Sequence, residues 1–212
     1  MRELILGGQK SGKSRRAEDV AAQWLAASPA ASSDASSDAS PVALHGAGQA
    51  HEAVLLATAL GGDAQMHTRI ARHQADRAQR VPGLRTLEVP LDLASAMAAH
   101  SAPHRLIVID CLTLWLTNWL MPLEAATEPF LKQKQPLVHE YTAQAAMFLR
   151  AIELSKGPIV IVSNEIGLGV IPLGPLVRDY VDALGNLNQS VARVCDRVTL
   201  MAAGLPLHLK GA

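Results

Sequence analysis

Residues 3–14 read ELILGGQKSGKS, a short apolar strand that runs straight into a glycine loop closing on Lys-Ser. The loop fits the spacing Gly7-x4-Gly12-Lys13-Ser14. Its glycines let the backbone curl until successive N–H groups face inward, around a chain of phosphates. A helix is expected next, because Ala17, Val20, Ala21 and Trp24 recur at i, i+3, i+4 and i+7. That helix would add its N-terminal partial positive charge to the loop. Lys13 is then placed to reach β- and γ-phosphates, and Ser14 to offer its hydroxyl to Mg²⁺. A strand before the loop and a helix after it is the context this motif requires. It sets the expectation of an α/β nucleotide-binding fold.

Outward from the loop, strands and helices alternate. The first helix gives way at Ala26 to AASPAASSDASSDAS, a near-repeat of small and polar residues. Such a composition buries too little apolar surface to order itself, so 27–41 reads as a flexible surface insertion within one catalytic domain spanning 1–212. Buried-strand runs follow at residues 53–58 (AVLLAT), 105–110 (RLIVID) and 158–163 (PIVIVS), with RTLEVP a further strand candidate. Helices are expected over HTRIARHQADRAQR, around 93–99, and over CLTLWLTNWL. A proline-punctuated excursion is expected from 122 to 136. Beyond it, Val138, Tyr141, Ala145, Phe148, Leu149 and Ile152 share one helical face. A glycine-rich loop, EIGLGVIPLG, precedes a last helix, and VTLM with LPLHLK suggests an antiparallel hairpin at one edge. The pattern predicts a mostly parallel sheet covered by helices on both faces.

Composition narrows the function. The 212 residues carry 19 Lys plus Arg against 19 Asp plus Glu, so no bulk field attracts nucleic acid or an anionic membrane. Aromatic residues are 3% of the chain, little material for a base-stacking platform. No apolar run approaches the roughly 20 residues a membrane span needs. Cys111 and Cys195 lack CxxC spacing and no secretory signal precedes the first strand, so two reduced thiols in a cytoplasmic protein are expected. Affinity for phosphate must be local.

Three further groups of residues carry candidate chemistry. Asp110 ends the apolar strand LIVID, where a carboxylate can hold Mg²⁺ opposite Ser14. The same residue type also caps helices, and a helix follows. Arg69, His73 and Arg77 fall at i, i+4 and i+8 on one helical face. Two flanking cations would keep the imidazole neutral and nucleophilic; a solvated polar face is the plainer reading of the same spacing. Asn164 and Glu165 close a buried strand, and Thr58 closes an earlier one. These are positions where open α/β sheets place ligand contacts, or where the chain merely turns.

Several segments in fixed order carry a family likeness: GGQKSGKSRRAE, RIARHQADR, TLEVP, DCLTLWLTNWL, SNEIGLGVIP and LGNLNQSVA. Together they resemble the bifunctional adenosylcobinamide kinase / adenosylcobinamide-phosphate guanylyltransferase family of adenosylcobalamin (coenzyme B12) biosynthesis. The resemblance spans nearly the whole chain apart from the Ser/Asp-rich insertion and part of the 122–136 excursion. It implies a RecA-like P-loop fold. It implies phosphorylation of adenosylcobinamide by GTP or ATP, then transfer of GMP from GTP to adenosylcobinamide phosphate through a guanylylated histidine, with release of pyrophosphate. The guanylylated histidine falls on His73. Nucleotide contacts fall on Gly7, Gly8, Gln9, Lys10, Ser11, Gly12, Lys13, Ser14, Ala57, Thr58, Ala59, Gln74, Ala75, Asp76, Arg77, Glu88 and Asp110. Some members carry Glu where this chain has Asp110. Homo-oligomers, trimers in the family, are implied as well.

Two other readings stay open on the residues alone. A P-loop small-molecule kinase without a covalent nucleotidyl intermediate would use Lys13, Ser14 and Asp110 in the same way and leave His73 idle. A nucleotide-gated assembly module would bind GTP without turning over any cobinamide.

Overall fold

The computed structural model describes residues 1–28, 49–60, 64–121, 128–169 and 172–211, with the side chains of 64–67, 69–70, 73 and 128–139 outside that description. Most of the 27–41 insertion therefore lies outside the described residues. The chain runs β1 (Arg2–Gly7), α1 (Lys13–Ala26), β2 (Glu52–Ala57), α2 (Ala64–Arg80), β3 (Leu84–Glu88), α3 (Leu93–His100) and β4 (Arg105–Asp110). It continues through α4 (Leu112–Leu120), α5 (Glu128–Leu154), β5 (Ile159–Val162), α6 (Pro175–Val194), β6 (Arg197–Ala202) and β7 (Leu205–Lys210).

The seven strands form one sheet in the order β3-β2-β4-β5-β1-β6-β7. Every pairing is parallel except β6 with β7, the antiparallel hairpin expected at the edge. Successive side chains in a strand point to opposite faces, and here both faces are covered. Ile107 and Ile109 of β4 pack with Leu93, Trp115, Phe148, Ile152, Leu187 and Val191 from the helices on one side. Leu106 and Val108 pack with Ala17, Val20 and Ala21 of α1 on the other. Coverage on both sides explains why β4 reads as an unbroken apolar run and why its four central residues have no exposure. The architecture is an α/β fold, a mostly parallel sheet covered by helices on both faces with an antiparallel hairpin at one edge. In it β5 lies between the strand that feeds the glycine loop and the strand that ends in Asp110.

One expectation needs correction. The proline-punctuated excursion expected over 122–136 is helical from Glu128 onward, where α5 begins and continues through Pro136, while 122–127 lie outside the described residues. Pro129 sits in the first turn, where no intrahelical N–H is needed, whereas Pro136 removes one interior hydrogen bond without ending the helix. The downstream stripe of Tyr141, Ala145, Phe148, Leu149 and Ile152 packs on the sheet and anchors the helix. Among the described residues no helix is long and apolar enough to cross a membrane.

Candidate functional site

The glycine loop occupies the turn from β1 into α1. Gly7 adopts φ +151, and a Cβ there would lie 2.5 Å from both Met201 O and Ser11 Oγ, so only glycine fits. Gly12, at φ +101, is the residue from which α1 springs, and no side chain caps the helix. The first turn of α1 carries no acidic residue, which leaves its N-terminal partial charge uncompensated. The loop is braced from the far edge of the sheet, where Gly204 N–H donates to Ser11 O at 3.0 Å. Together these features make an anion-binding concavity.

Lys13 is the first residue of α1 and is 7% exposed. Its Nζ donates to Gly8 O and, at 3.4 Å, to Ser11 Oγ. Burial pushes the Lys13 ammonium below the usual lysine range, and the neighbouring Cys111 and Asp110 oppose that shift. A phosphate chain would supply the negative charge that such a buried ammonium favours.

A cleft of about 400 Å³ opens over the C-terminal ends of the central strands. Gln9, Lys10, Lys13 and Ser14 form its floor, and Ala57 and Ala59 border it from the end of β2. Asp110 faces the same space from the end of β4, and Gln74 and Arg77 enter from α2, with Glu88 beside them. Gln74 Nε2 donates to Glu88 Oε1 at 3.4 Å, joining α2 to the end of β3. Thus Ser14 and Asp110, the two residues read as metal ligands, share one cleft. Asp110 is not the N-cap of α4; Cys111 holds that position and makes no side-chain cap.

Other sequence-derived residues fall elsewhere. Thr58 is fully buried, and its hydroxyl donates to Cys111 O at 2.7 Å and accepts from Cys111 N–H at 2.9 Å. Its side chain therefore holds the start of α4 rather than lining the cleft. Ala75 is exposed, and Asp76 lies 3.8 Å from Arg72 in an i,i+4 pair on the outer side of α2. Gly7, Gly8, Ser11 and Gly12 shape the loop from beneath. His73 lies in α2 one turn before Arg77, and its side chain and that of Arg69 are outside the described residues. The solvated-face reading fails for Arg77, which is buried and lies 3.5 Å from Glu18.

Asn164 and Glu165, in the loop just after β5, divide their work. Asn164 borders the cleft, its N–H donating to Thr113 Oγ1 and its carbonyl accepting from Asn188 Nδ2. Glu165 instead accepts from Gly167 N–H at 2.9 Å, stabilising the loop's turn. Cys111, Leu114, Val162 and Ile166 also line the cleft, and the sequence gives none of them as a site residue. Their one legible signal was position, since each lies at or just beyond the C-terminal end of β4 or β5. Burial pushes the Cys111 thiol up to about 11.

Comparison with known proteins adds the following. A family model described as "Cobinamide kinase / cobinamide phosphate guanyltransferase" matches residues 30–209. The bifunctional adenosylcobalamin biosynthesis protein CobP of Pseudomonas aeruginosa is 42% identical over 211 residues, covering 100% of this chain and 98% of the relative. The corresponding CobU proteins of Salmonella typhimurium and Escherichia coli are 27% and 25% identical over 207 residues, each covering 98% of both chains. Among solved structures, the RadB recombinase is similar with a TM-score of 0.42 and 10% identity, over 94% of this chain and 73% of that one.

Proposed function

This chain belongs to the cobinamide kinase / cobinamide phosphate guanyltransferase family, and from that membership we propose that it carries out both reactions at the cleft above the glycine loop. In the first, the hydroxyl of adenosylcobinamide attacks the γ-phosphorus of GTP or ATP. The bond to the β-phosphate oxygen breaks, and the nucleoside diphosphate leaves with the electron pair. In the second, an imidazole nitrogen of His73 attacks the α-phosphorus of GTP and pyrophosphate leaves. A phosphate oxygen of adenosylcobinamide phosphate then displaces His73, giving adenosylcobinamide-GDP.

The observation that carries this reading is the convergence of Lys13, Ser14, Asp110 and Arg77 on one cleft. Both leaving groups are polyphosphates, so one set of cations and inward-facing N–H groups can stabilise the charge that develops in either step. Lys13 meets the β- and γ-oxygens, and the uncapped start of α1 receives negative charge. Gln9, Lys10, Ala57, Ala59, Gln74 and Glu88 border the remaining length of the nucleotide in this reading.

Mg²⁺ fits the residues present. It usually takes only one or two protein oxygens beside phosphate and water, and Ser14 and Asp110 supply that number in one cleft. Among the described residues no larger group of metal-binding side chains competes for the ion. When bound, the ion would neutralise charge on the phosphates. The reading also includes a cytoplasmic location and a homo-oligomer, a trimer by family resemblance.

Incubation with α-labelled GTP tests the covalent route. The enzyme is expected to take up acid-labile, alkali-stable label, and adenosylcobinamide phosphate is expected to discharge it into adenosylcobinamide-GDP. Kinase turnover with no protein-bound label would leave a simple P-loop kinase. Binding of GTP with neither reaction would leave an assembly module.

A further inference from the structure

Glu18 lies on α1 four residues after Ser14 and is only 3% exposed. A carboxylate this deeply buried requires charged or hydrogen-bonding partners, and here both come from α2. Arg80 grips it with a fork: Nε donates to Oε2 at 2.8 Å and Nη2 to Oε1 at 3.0 Å. Arg77 is the second partner, its Nε 3.5 Å from Glu18 Oε1 and its Nη1 donating to Thr86 Oγ1 at 3.3 Å. Of these two arginines, Arg77 borders the cleft and Arg80 does not.

One carboxylate therefore serves two guanidiniums. Arg80 takes both oxygens in hydrogen-bonding geometry, whereas Arg77 Nε is buried and forms no hydrogen bond. The cluster holds one more positive charge than Glu18 can neutralise. That surplus lies on the side of Arg77, where an anion entering the cleft would complete it.

We propose that Glu18 is a positioning residue for the guanylyl-transfer reaction: it clamps α2 through Arg80 and leaves the charge of Arg77 to the nucleotide's phosphates. This inference rests on the assignment of His73 as the nucleophile. Ser14 and Glu18 are one turn apart on α1, so the clamp ties α2 to the same helix that begins in the phosphate loop. His73 precedes Arg77 by one turn of α2. A slip or rotation of α2 changes the approach of that residue to the α-phosphorus, yet leaves Lys13, Ser14 and Asp110 in place. Phosphorylation of the acceptor hydroxyl uses the charges of the same cleft but no nucleophile on α2, so its chemical step does not depend on how the clamp sets that helix.

The test measures protein-bound label from α-labelled GTP and cobinamide kinase turnover side by side, in the intact enzyme. Arg80→Met keeps an apolar stem and removes the fork. Misplacement on the order of 1 Å can cost about 100-fold, so labelling is expected to slow by about 10- to 100-fold. The kinase kcat should stay within about twofold, because no group on α2 attacks in that step. Any change in Arg77's hold on the phosphates should shift KM for GTP alike in both reactions. Arg80→Lys keeps the charge without the fork; a smaller slowing of labelling, again with normal kinase turnover, is expected. Thermal melting of each variant accompanies the assays. Parallel loss of both activities would mean the clamp only supports the fold, and labelling at the wild-type rate would remove it from the mechanism. An unlabelled wild-type enzyme would overturn the covalent reading itself, and the clamp with it.

Discussion

The hydroxyl of Thr58 stands between the two backbone groups of Cys111, donating to its carbonyl at 2.7 Å and accepting from its N–H at 2.9 Å. The contact joins the end of β2 to the chain immediately after Asp110. Thr58 N–H also donates to Asp110 O at 3.2 Å. The backbone that carries the Asp110 carboxylate is thereby held by the neighbouring strand, and Asn118 Nδ2 reinforces the junction by donating to Thr58 O at 2.8 Å.

Thr58→Val tests that junction, because valine matches the shape of threonine and lacks its hydroxyl. Leaving a buried backbone donor or acceptor unsatisfied costs about 1–3 kcal/mol. For a chain of this size each kcal/mol lowers Tm by roughly 2–4 °C. Melting should therefore fall by several degrees, and kinase turnover should fall as Asp110 loses its support. An unchanged Tm with full turnover would show that water replaces the hydroxyl without consequence.

Lys13→Ala should abolish both reactions, since each loses the cation nearest its leaving group. Removing a charged contact from such a site costs about 3 kcal/mol or more of transition-state stabilisation. Normal guanylyl transfer by this variant would refute a shared phosphate cradle. The pH response has a definite sign. Burial lowers the affinity of Lys13 for its proton, so nucleotide binding should weaken with rising pH sooner than an exposed lysine would allow. Bound phosphate should move the loss back towards higher pH. Titrating GTP affinity upward from neutrality reads both effects.

His73→Ala separates the two chemistries. Protein-bound label from α-labelled GTP and guanylyl transfer should disappear, while phosphorylation of adenosylcobinamide largely persists. Label retained by the variant would place the nucleophile elsewhere, and loss of both activities would make His73 a binding or structural residue.

The thiols give an independent reading of burial. Cys111 is pushed up to about 11 and Cys195 to about 12, in both cases chiefly by burial. At pH 8 only about one Cys111 side chain in a thousand would be thiolate. Iodoacetamide should therefore modify neither cysteine in the native protein near neutrality and both after unfolding. Raising the pH should release Cys111 first, and GTP in the cleft should slow it. Rapid native alkylation at pH 7 would contradict the burial of these groups.

The glycine loop, the alternation of strands with helices and the edge hairpin were legible in the sequence because each depends on neighbours a few residues away. Loop spacing dictates backbone curvature, and apolar periodicity dictates which face a helix or strand buries. The unbroken apolar run of β4 even signalled a sheet covered on both sides, and its terminal carboxylate marked the side of the sheet on which the cleft opens. What tertiary structure alone decided are the pairings across long sequence separations. Glu18 meets Arg80 across 62 residues and Thr58 meets Cys111 across 53. In the sequence nothing singles out Glu18, and Thr58 reads equally well as a ligand contact or a turn residue. Such partners are set by the order in which strands assemble into the sheet. Local periodicity does not encode that order, because a strand's pattern of apolar residues is the same whichever parallel neighbour it joins.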